Sequence, residues 1–230
     1  MIDIRPFTTL GGFQNDWLHA RHHFSFGSYH DESRMGLGAL RVWNDDQIAA
    51  GRGFAAHPHH DMEIITYVRE GAITHRDNLG NEGRTEAGDV QVMHAGRGIV
   101  HAELNQEPSE TRIFQIWLLP NQRGVTPGWG AKRFPSAGEG LRVLASGLGA
   151  DGALPLYADG AVLAGRIGAG QTIQHRLTPG MSAYLVPAAG TITVNGHAAG
   201  TRDGVAVTDE TEISITAIDD AEIVLVEART

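Results

Sequence analysis

The chain has 230 residues, of which 41% are hydrophobic, and its 18 Lys and Arg against 27 Asp and Glu give a formal net charge of −9. Lys132 is the only lysine, so no polybasic stripe is present to bind phosphate backbones or anionic lipid, and we expect neither nucleic acid nor a membrane as a direct partner. The absence of cysteine excludes disulfides, thiolate nucleophiles and cysteine-ligated metals, so any metal must be held by nitrogen and oxygen ligands.

No segment has the features of a targeting or membrane-spanning sequence. The first ten residues, MIDIRPFTTL, lack a basic region followed by an apolar stretch, and no run of 18 apolar residues occurs. A length of 230 residues is enough for one large domain or two small ones, each with a buried core. We therefore expect a cytoplasmic protein.

Short β-strands are predicted along the whole chain, and no long amphipathic helix is. The 30 Gly and 9 Pro separate short apolar stretches at spacings typical of all-β sandwiches and barrels. In chain order, the predicted strands are 40–42, 62–68, 71–75, 90–93, 112–119, 142–145, 163–166, 183–186, 191–194, 205–207, 212–218 and 222–226.

Two pairs of polar side chains, each spaced two residues apart, occur in the first half: His57 with His59, and His101 with Glu103. Residues two apart on a strand project from the same face, so each pair can direct both side chains at one point, and a neighbouring strand could bring the pairs together. Imidazole nitrogen and carboxylate oxygen suit Fe, Mn, Co, Ni, Cu or Zn, and four such ligands leave positions on a six-coordinate metal for substrate or oxygen. The pattern predicts one metal site.

Three further features of the first half have local interpretations. Asp45 and Asp46 are interpreted as solvated acids of a turn, and the sequence DNLGN at 77–81 predicts a hairpin turn. The strand 112–119 alternates side chains that are largely apolar on both sides, as expected for a strand packed between two sheets.

A change of composition divides the chain. The stretch 120–141 is rich in Pro and Gly and has almost no periodicity, so it is interpreted as an interdomain linker. We predict an N-terminal domain over 1–131, a linker over 132–141 and a C-terminal domain over 142–230. Residues 64–74 also resemble residues 183–193, which indicates a duplicated barrel; extending this match backwards places Arg176 and Thr178 where the first half has His57 and His59. The C-terminal domain is therefore predicted to lack metal ligands.

Several stretches resemble a known family, the pirins of the cupin superfamily. GRGFAAHPHHDME at 51–63, and GD at 88–89 followed by GRGIVHAELN at 96–105, are similar to the two cupin motifs in their pirin form. Residues 22–27, 35–46 and 114–117 are also similar to pirins, so the resemblance covers nearly the whole chain. It implies two tandem cupin domains, each a β-sandwich or jelly-roll barrel, and it is strongest to the bacterial branch with quercetin 2,3-dioxygenase activity.

The resemblance also implies a reaction and the residues that perform it. The reaction is cleavage of a flavonol such as quercetin with O2 and release of carbon monoxide, at one divalent transition metal per chain, with iron as the first choice. The implied ligands are His57, His59, His101 and Glu103, and Glu63 competes with Glu103 as the fourth. Glu103 would in addition accept the proton of the flavonol 3-hydroxyl group as a general base.

A small aromatic substrate of this kind requires an apolar pocket. The residues predicted to line it are Phe24, Phe26, Met93 and Phe114. Two other functions remain open: a non-catalytic metal-binding regulatory protein that binds other proteins, as eukaryotic pirins do, and a cupin isomerase or hydrolase that uses its metal as a Lewis acid.

Overall fold

The computed structural model describes residues 1–134 and 140–230, and within these ranges the regular structure is almost entirely β. The strands of the first half are β1 Ile2–Arg5, β2 Gly11–Gln14, β3 Leu18–His22, β4 Leu40–Ile48, β5 Gly53–His59, β6 Glu63–Glu70, β7 Ala72–Asp77, β8 Glu82–Glu86, β9 Val90–His94, β10 Ile99–Leu104, β11 Thr111–Leu118 and β12 Gly128–Lys132. Two one-turn 3-10 helices, Phe7–Thr9 and Glu32–Arg34, interrupt them. The prediction of an all-β fold is confirmed.

The second half repeats this arrangement. Its strands are β13 Arg142–Ser146, β14 Leu154–Pro155, β15 Gly160–Ile167, β16 Thr172–Arg176, β17 Met181–Ala189, β18 Ile192–Val194, β19 His197–Ala199, β20 Gly204–Val207, β21 Glu212–Ala217 and β22 Ala221–Arg229. No helix long and apolar enough to cross a membrane is found in the described part of the chain.

Each half is a sandwich of a seven-stranded and a four-stranded sheet. In the first half the strand orders are β12-β9-β6-β11-β4-β3-β2 and β5-β10-β7-β8. In the second half they are β1-β20-β17-β22-β15-β13-β14 and β16-β21-β18-β19. In the small sheets, and in the four central strands of the large sheets, strands at equivalent places follow one another in the same sequence order, so the two barrels share one central topology.

The two seven-stranded sheets pack against each other through one apolar cluster, which we call the inter-sheet core. Its largest members are Phe24, Trp43 and Phe114 from the first half and Tyr184 from the second. The side chains of β11 divide between this core and the interior of the first barrel: Phe114 faces the core, whereas Ile113 belongs to a separate cluster inside the barrel. The prediction that this strand is packed on both faces is confirmed.

The barrel interiors are filled differently. A single large apolar cluster, which includes Leu185, Ile213 and Ile215, fills the second barrel. The described interior of the first barrel holds two smaller clusters, one around Ile73 and one around Met93, together with several buried polar side chains. Among the described residues, the first barrel therefore has the more extensive polar interior, and in the second barrel buried Glu227 contacts His175.

The observed strands depart from the predicted domain assignment at two places. β1 pairs with β20, with Ile4 opposite Val205, so the first strand belongs to the sheet of the second half although it lies within the predicted domain 1–131. Ile2 and Ile4 pack on the apolar cluster of that barrel, which is the physical reason for this placement. β12 pairs with β9 and continues the first sheet through part of the stretch 120–141 that was interpreted as linker. Of the predicted linker 132–141, residues 135–139 lie outside the described residues.

The interpretation of Asp45 and Asp46 as solvated turn acids is wrong. Both lie on β4, and their exposed fractions are 0% and 2%. Asp45 accepts hydrogen bonds from Arg69 and from Arg202 of the second half, and Asp46 projects from the opposite face of the strand. The two acids are adjacent in sequence but face different environments. By contrast, the hairpin predicted at 77–81 is present between β7 and β8.

Candidate metal centre

Three histidines converge where β5 and β10 run antiparallel. The register places His57 directly opposite His101 and His59 opposite Ile99, so His59 lies diagonally across from His101. One ligand nitrogen from each ring lies within 4.8 Å of the other two. The spacing of two residues on β5 directs both of its rings to the same side, as expected for a strand.

The ring nitrogens of these histidines are largely without protein partners. Neither nitrogen of His101 has a hydrogen-bond partner, nor does Nε2 of His59, although these atoms are buried. Nδ1 of His57 donates to the Ala55 carbonyl oxygen at 2.7 Å, which leaves the lone pair on Nε2 free. Buried polar atoms in proteins almost always have partners. Three converging imidazoles, each with a nitrogen that lacks a protein partner, therefore fit a metal ion as the missing partner.

The environment keeps two of the rings uncharged. Burial, together with the neighbouring imidazoles, which disfavour another positive charge, lowers the pKa of His101 to about 3 and that of His59 to about 4. At neutral pH each of these two rings therefore offers a lone pair without first losing a proton, which is the state that coordinates a metal.

Glu103 lies two residues after His101 on β10, beyond an irregularity in the strand register. It is buried, with 1% exposed, and burial raises the pKa of its carboxyl group. Oε1 accepts hydrogen bonds from Thr66 at 2.7 Å and Gln91 at 2.6 Å, and Oε2 accepts one from Gln115 at 2.6 Å. A carboxylate has about four lone-pair positions, so one remains on Oε2. Glu103 is not a member of the three-histidine group, but it has this one position to offer.

Glu63, the competing fourth ligand, lies in a different environment. It is fully buried at the start of β6, where Oε2 contacts His94 Nδ1 at 2.5 Å and accepts a hydrogen bond from the backbone N–H of Tyr157 at 3.0 Å. Tyr157 belongs to the second half, so this carboxyl group connects the two barrels. Its partners differ from those of Glu103, and none of them belongs to the three-histidine group.

A stacked pair of rings, His75 and Trp129, packs beside His101. His75 on β7 stacks on Trp129 of β12, with ring centroids 4.9 Å apart and planes 8° apart, and its ring lies 5.3 Å from that of His101. Nε2 of His75 contacts Asp77 at 3.0 Å. A side chain at Gly83 would collide with Trp129, because a Cβ there would lie 2.2 Å from the indole. The glycine thus permits the close packing that orients this pair.

A cavity of about 580 Å³, which we call the aromatic cavity, opens beside the histidines. Its lining includes His57, His59, Phe26, Trp117 and Phe54. Trp117 lies edge-on to His59 at 5.0 Å and to Phe26 at 5.4 Å, which fixes the wall next to the histidines. The remaining lining is formed by Phe13, Asn15, Trp17, Leu18, Ala20, His22, Gly27, Ser28, Asn44, Asp46, Ala55, Ala56 and Gln115.

One of the four predicted pocket residues, Phe26, is found in this lining. Phe24 and Phe114 are instead fully buried in the inter-sheet core, and Met93 is buried in a separate cluster with Ile64. Trp117 was not among the residues predicted to line the pocket, because the sequence pattern assigned it only to an apolar strand. Its position three residues from Phe114 puts it on the other face of β11, so strand parity could have separated the two once the interior side was known.

The second barrel has a histidine in a related place. His175 on β16 contacts Glu227 Oε1 at 2.6 Å, and the backbone N–H of Thr178 donates to the same carboxyl group at 3.1 Å. Arg176, which the sequence match placed at the position of His57, is exposed. The inward positions of β21 are occupied by Ile213 and Ile215, which offer no metal ligand.

Comparisons with known proteins agree with this architecture. Residues 4–118 match the family model described as pirin, and residues 143–228 match one described as a quercetinase C-terminal cupin domain. The chain is 57% identical to a pirin-like protein of Caulobacter vibrioides, covering 99% of this chain and 100% of that one. It is 39% identical to a quercetin 2,3-dioxygenase of Escherichia coli K12, covering 98% and 97% of the two chains.

Solved structures give the same result. The crystal structure of the bacterial pirin YhhW from Escherichia coli in complex with nickel(II) matches with a TM-score of 0.93 and 39% identity, covering 100% of this chain and 99% of that one. The resemblance seen in the sequence is thus confirmed, together with two tandem cupin domains. With matches over both halves and relatives similar over their full lengths, the chain belongs to the pirin family.

Proposed function

We propose that the protein is a metal-dependent dioxygenase that cleaves flavonols such as quercetin with O2 and releases carbon monoxide. The observation that supports this most directly is an aromatic-lined cavity of about 580 Å³ whose wall includes His57 and His59, two of the three imidazoles that converge at the candidate metal site. A volume of this size is in the range of small-molecule sites. The name of the Escherichia coli relative points to the same substrate class.

His57, His59 and His101 would hold one divalent transition metal, for which iron is our first choice. Such a metal supplies Lewis-acid and redox chemistry to a bound phenolic oxygen and to O2. The chain itself supplies neutral nitrogen donors, because burial prevents His59 and His101 from taking up a proton at neutral pH. Trp117 and Phe26 exclude water from one side of the site.

We propose Glu103 as the fourth ligand in the absence of substrate. With substrate bound, its carboxylate would leave the metal, and Oε2 would then accept the proton of the flavonol 3-hydroxyl group as a base, because its one free lone pair serves one role at a time. Three side-chain hydrogen bonds hold its carboxyl group in one orientation and leave one lone pair on that oxygen. The raised pKa of Glu103 makes it a stronger base than an exposed carboxylate. Glu63 instead contacts His94 and the backbone N–H of Tyr157.

The test is turnover of quercetin by metal-loaded protein. We expect loss of the quercetin absorbance band together with oxygen uptake and carbon monoxide release, and no change under anaerobic conditions. His57→Ala and His101→Ala should lose both metal and turnover, because each removes one of three nitrogen donors. The matched control is His197→Ala, an exposed histidine on β19 of the second barrel, which should keep both.

Failure would be clear from the same experiment. If the wild-type protein contains stoichiometric metal and shows none of the three changes, the dioxygenase proposal is wrong. If His197→Ala loses metal as the other variants do, the proposed location of the metal is wrong.

A further inference from the structure

One carboxyl oxygen in the wall of the aromatic cavity has no hydrogen-bond partner. Asp46 projects from β4 toward the first barrel's interior and lines the cavity, yet only 2% of the residue is exposed. Its Oδ1 is buried and has no hydrogen-bond partner. A buried carboxyl oxygen without a partner is rare, because it has lost its bonds to water and gained none in return.

The polar neighbours of Asp46 on the same wall do have partners. Asn44 Oδ1 contacts His22 Nδ1 at 2.8 Å. Gln115 donates to Glu103 and accepts a hydrogen bond from the Trp117 indole N–H at 3.3 Å. These side chains therefore use their hydrogen-bonding groups within the protein, whereas Oδ1 of Asp46, in the wall of the cavity, has no protein partner.

The charge state of Asp46 follows from its surroundings. Burial raises its pKa well above the ordinary value, and the nearby carboxyl groups of Asp45 and Glu103 raise it further, against the opposing effect of Arg69. The raised pKa favours the neutral carboxylic acid, which can donate one O–H bond and accept others. It can thus bind a hydroxyl or carbonyl oxygen without bringing a negative charge into the cavity.

We propose that Asp46 is a specificity-determining residue whose carboxyl group hydrogen-bonds an oxygen substituent on the aromatic rings of the substrate. This inference rests on the proposed function, since it assumes a flavonol in the cavity. A site that contains a buried hydrogen-bonding group rejects analogues that lack the matching substituent, because they leave the group unpaired. Polyhydroxylated flavonols should therefore bind more tightly than flavonols with bare rings.

The experiment compares two probes under anaerobic conditions, so that binding is measured without turnover. Quercetin carries hydroxyl groups on both outer rings, and 3-hydroxyflavone has the same ring skeleton without them. Dissociation constants are measured with metal-loaded protein by quenching of tryptophan fluorescence. We expect wild-type protein to prefer quercetin by at least about tenfold, which is the cost of one unpaired buried polar group.

Two substitutions separate hydrogen bonding from shape. Asp46→Leu should reduce the preference to about twofold or less, mainly through tighter binding of 3-hydroxyflavone. Asp46→Asn should keep most of the preference, because an amide can still donate and accept. If Asp46→Leu does not fold, Asp46→Ala is used for the same comparison. The matched control is Phe13→Leu at the exposed rim of the cavity, which should weaken both probes by a similar factor.

A stability measurement excludes a merely structural role. Replacing an unpartnered carboxyl group by hydrocarbon should raise or maintain the unfolding temperature, as is common when a binding group is removed. A lower unfolding temperature, with equal loss of affinity for both probes, would show that Asp46 supports the fold and would overturn the inference. An unchanged preference in Asp46→Leu would also overturn it while the proposed function stands. If wild-type protein binds neither probe, both proposals are wrong.

Discussion

Glu103 is buried, accepts three side-chain hydrogen bonds and lies two residues from His101, a histidine of the proposed metal site. In Glu103→Gln the amide keeps a carbonyl oxygen that can accept from its neighbours, so we expect metal content to be retained. Loss of the base should lower the turnover of quercetin by roughly 10²- to 10⁴-fold, the usual contribution of general base catalysis. The two readouts are metal analysis and single-turnover kinetics.

The control for this substitution is Glu82→Gln, which changes an exposed carboxyl group of β8 in the same way. It should leave both metal content and turnover unchanged. Full activity in Glu103→Gln would remove the base role, and loss of metal together with activity would leave Glu103 as a ligand only.

His101 gives the metal-free protein a dependence of stability on pH. Its folded-state pKa is about 3, whereas an unfolded histidine has a pKa near 6.5, so between these values the unfolded chain binds the extra proton. The free energy of unfolding should therefore fall as the pH drops below about 6.5, with a slope of up to about 1.4 kcal/mol per pH unit from this group.

The measurement is urea unfolding of chelator-treated protein at several pH values. His101→Gln should have a smaller slope than wild type, because glutamine does not titrate, and His197→Gln should have the wild-type slope. Equal slopes in wild type and His101→Gln would show that His101 is not held neutral by the fold.

Sequence alone was sufficient for the three histidines but not for the cavity beside them. The pairs two residues apart follow from the period of a strand, which holds whatever the strand packs against. The lining depends on which face of a strand meets the barrel interior, and β11 is apolar on both faces. Phe114 and Trp117 were therefore equivalent until the inter-sheet core was known. Asp46 was taken for a solvated turn acid because the predicted strand 40–42 ended before it, whereas β4 continues to Ile48.

At the scale of single elements, β4 joins the two halves through a buried ion pair. Asp45 has no exposed surface and accepts from Arg69 in the same half and from Arg202 of the other, at 2.5 Å. Arg202→Ala should lower the free energy of unfolding by about 3 kcal/mol, because it removes one of the two guanidinium groups that pair with the buried carboxylate of Asp45. Urea unfolding measures this change.

The matched control is Arg166→Ala, which breaks an ion pair with Glu222 in which the arginine is 63% exposed. A surface pair of this kind contributes about 0–1 kcal/mol, so the two alanine variants should differ clearly. Equal effects of the two substitutions would contradict a stabilising role for the buried pair.

The predicted strands all overlap observed ones, but several elements were not predicted, and two of these, β12 and β1, share a reason. β12 contains Gly-Trp-Gly in a stretch rich in proline, which has no strand periodicity of its own. It forms because β9 offers an open edge and because Trp129 packs on His75. Similarly, β1 is stabilised by β20 far along the chain. Long-range pairing of this kind leaves little trace in the local sequence.

At the scale of the whole molecule, the inter-sheet core makes each half dependent on the other. A fragment of residues 1–134 would expose Phe24, Trp43, Phe114 and Ile116, which are fully buried in the intact chain. We expect this fragment to aggregate or to bind a hydrophobic dye strongly, because so large an apolar patch is not tolerated on a monomer. The intact chain, measured in parallel, should do neither. A monomeric fragment with cooperative unfolding would contradict this expectation.

The pairing of β1 with β20 has a consequence for the order of events during translation. Ile2 lies opposite Val207, so about 200 residues separate the two strands. At a synthesis rate of roughly 5–20 residues per second, β1 emerges from the ribosome about 10–40 s before its partner exists. Throughout that interval the apolar side chains of Ile2 and Ile4 are exposed on an unpaired strand, which is a ready target for chaperones. The second barrel cannot be complete until β22 has been synthesised, so it closes after the first barrel has been translated.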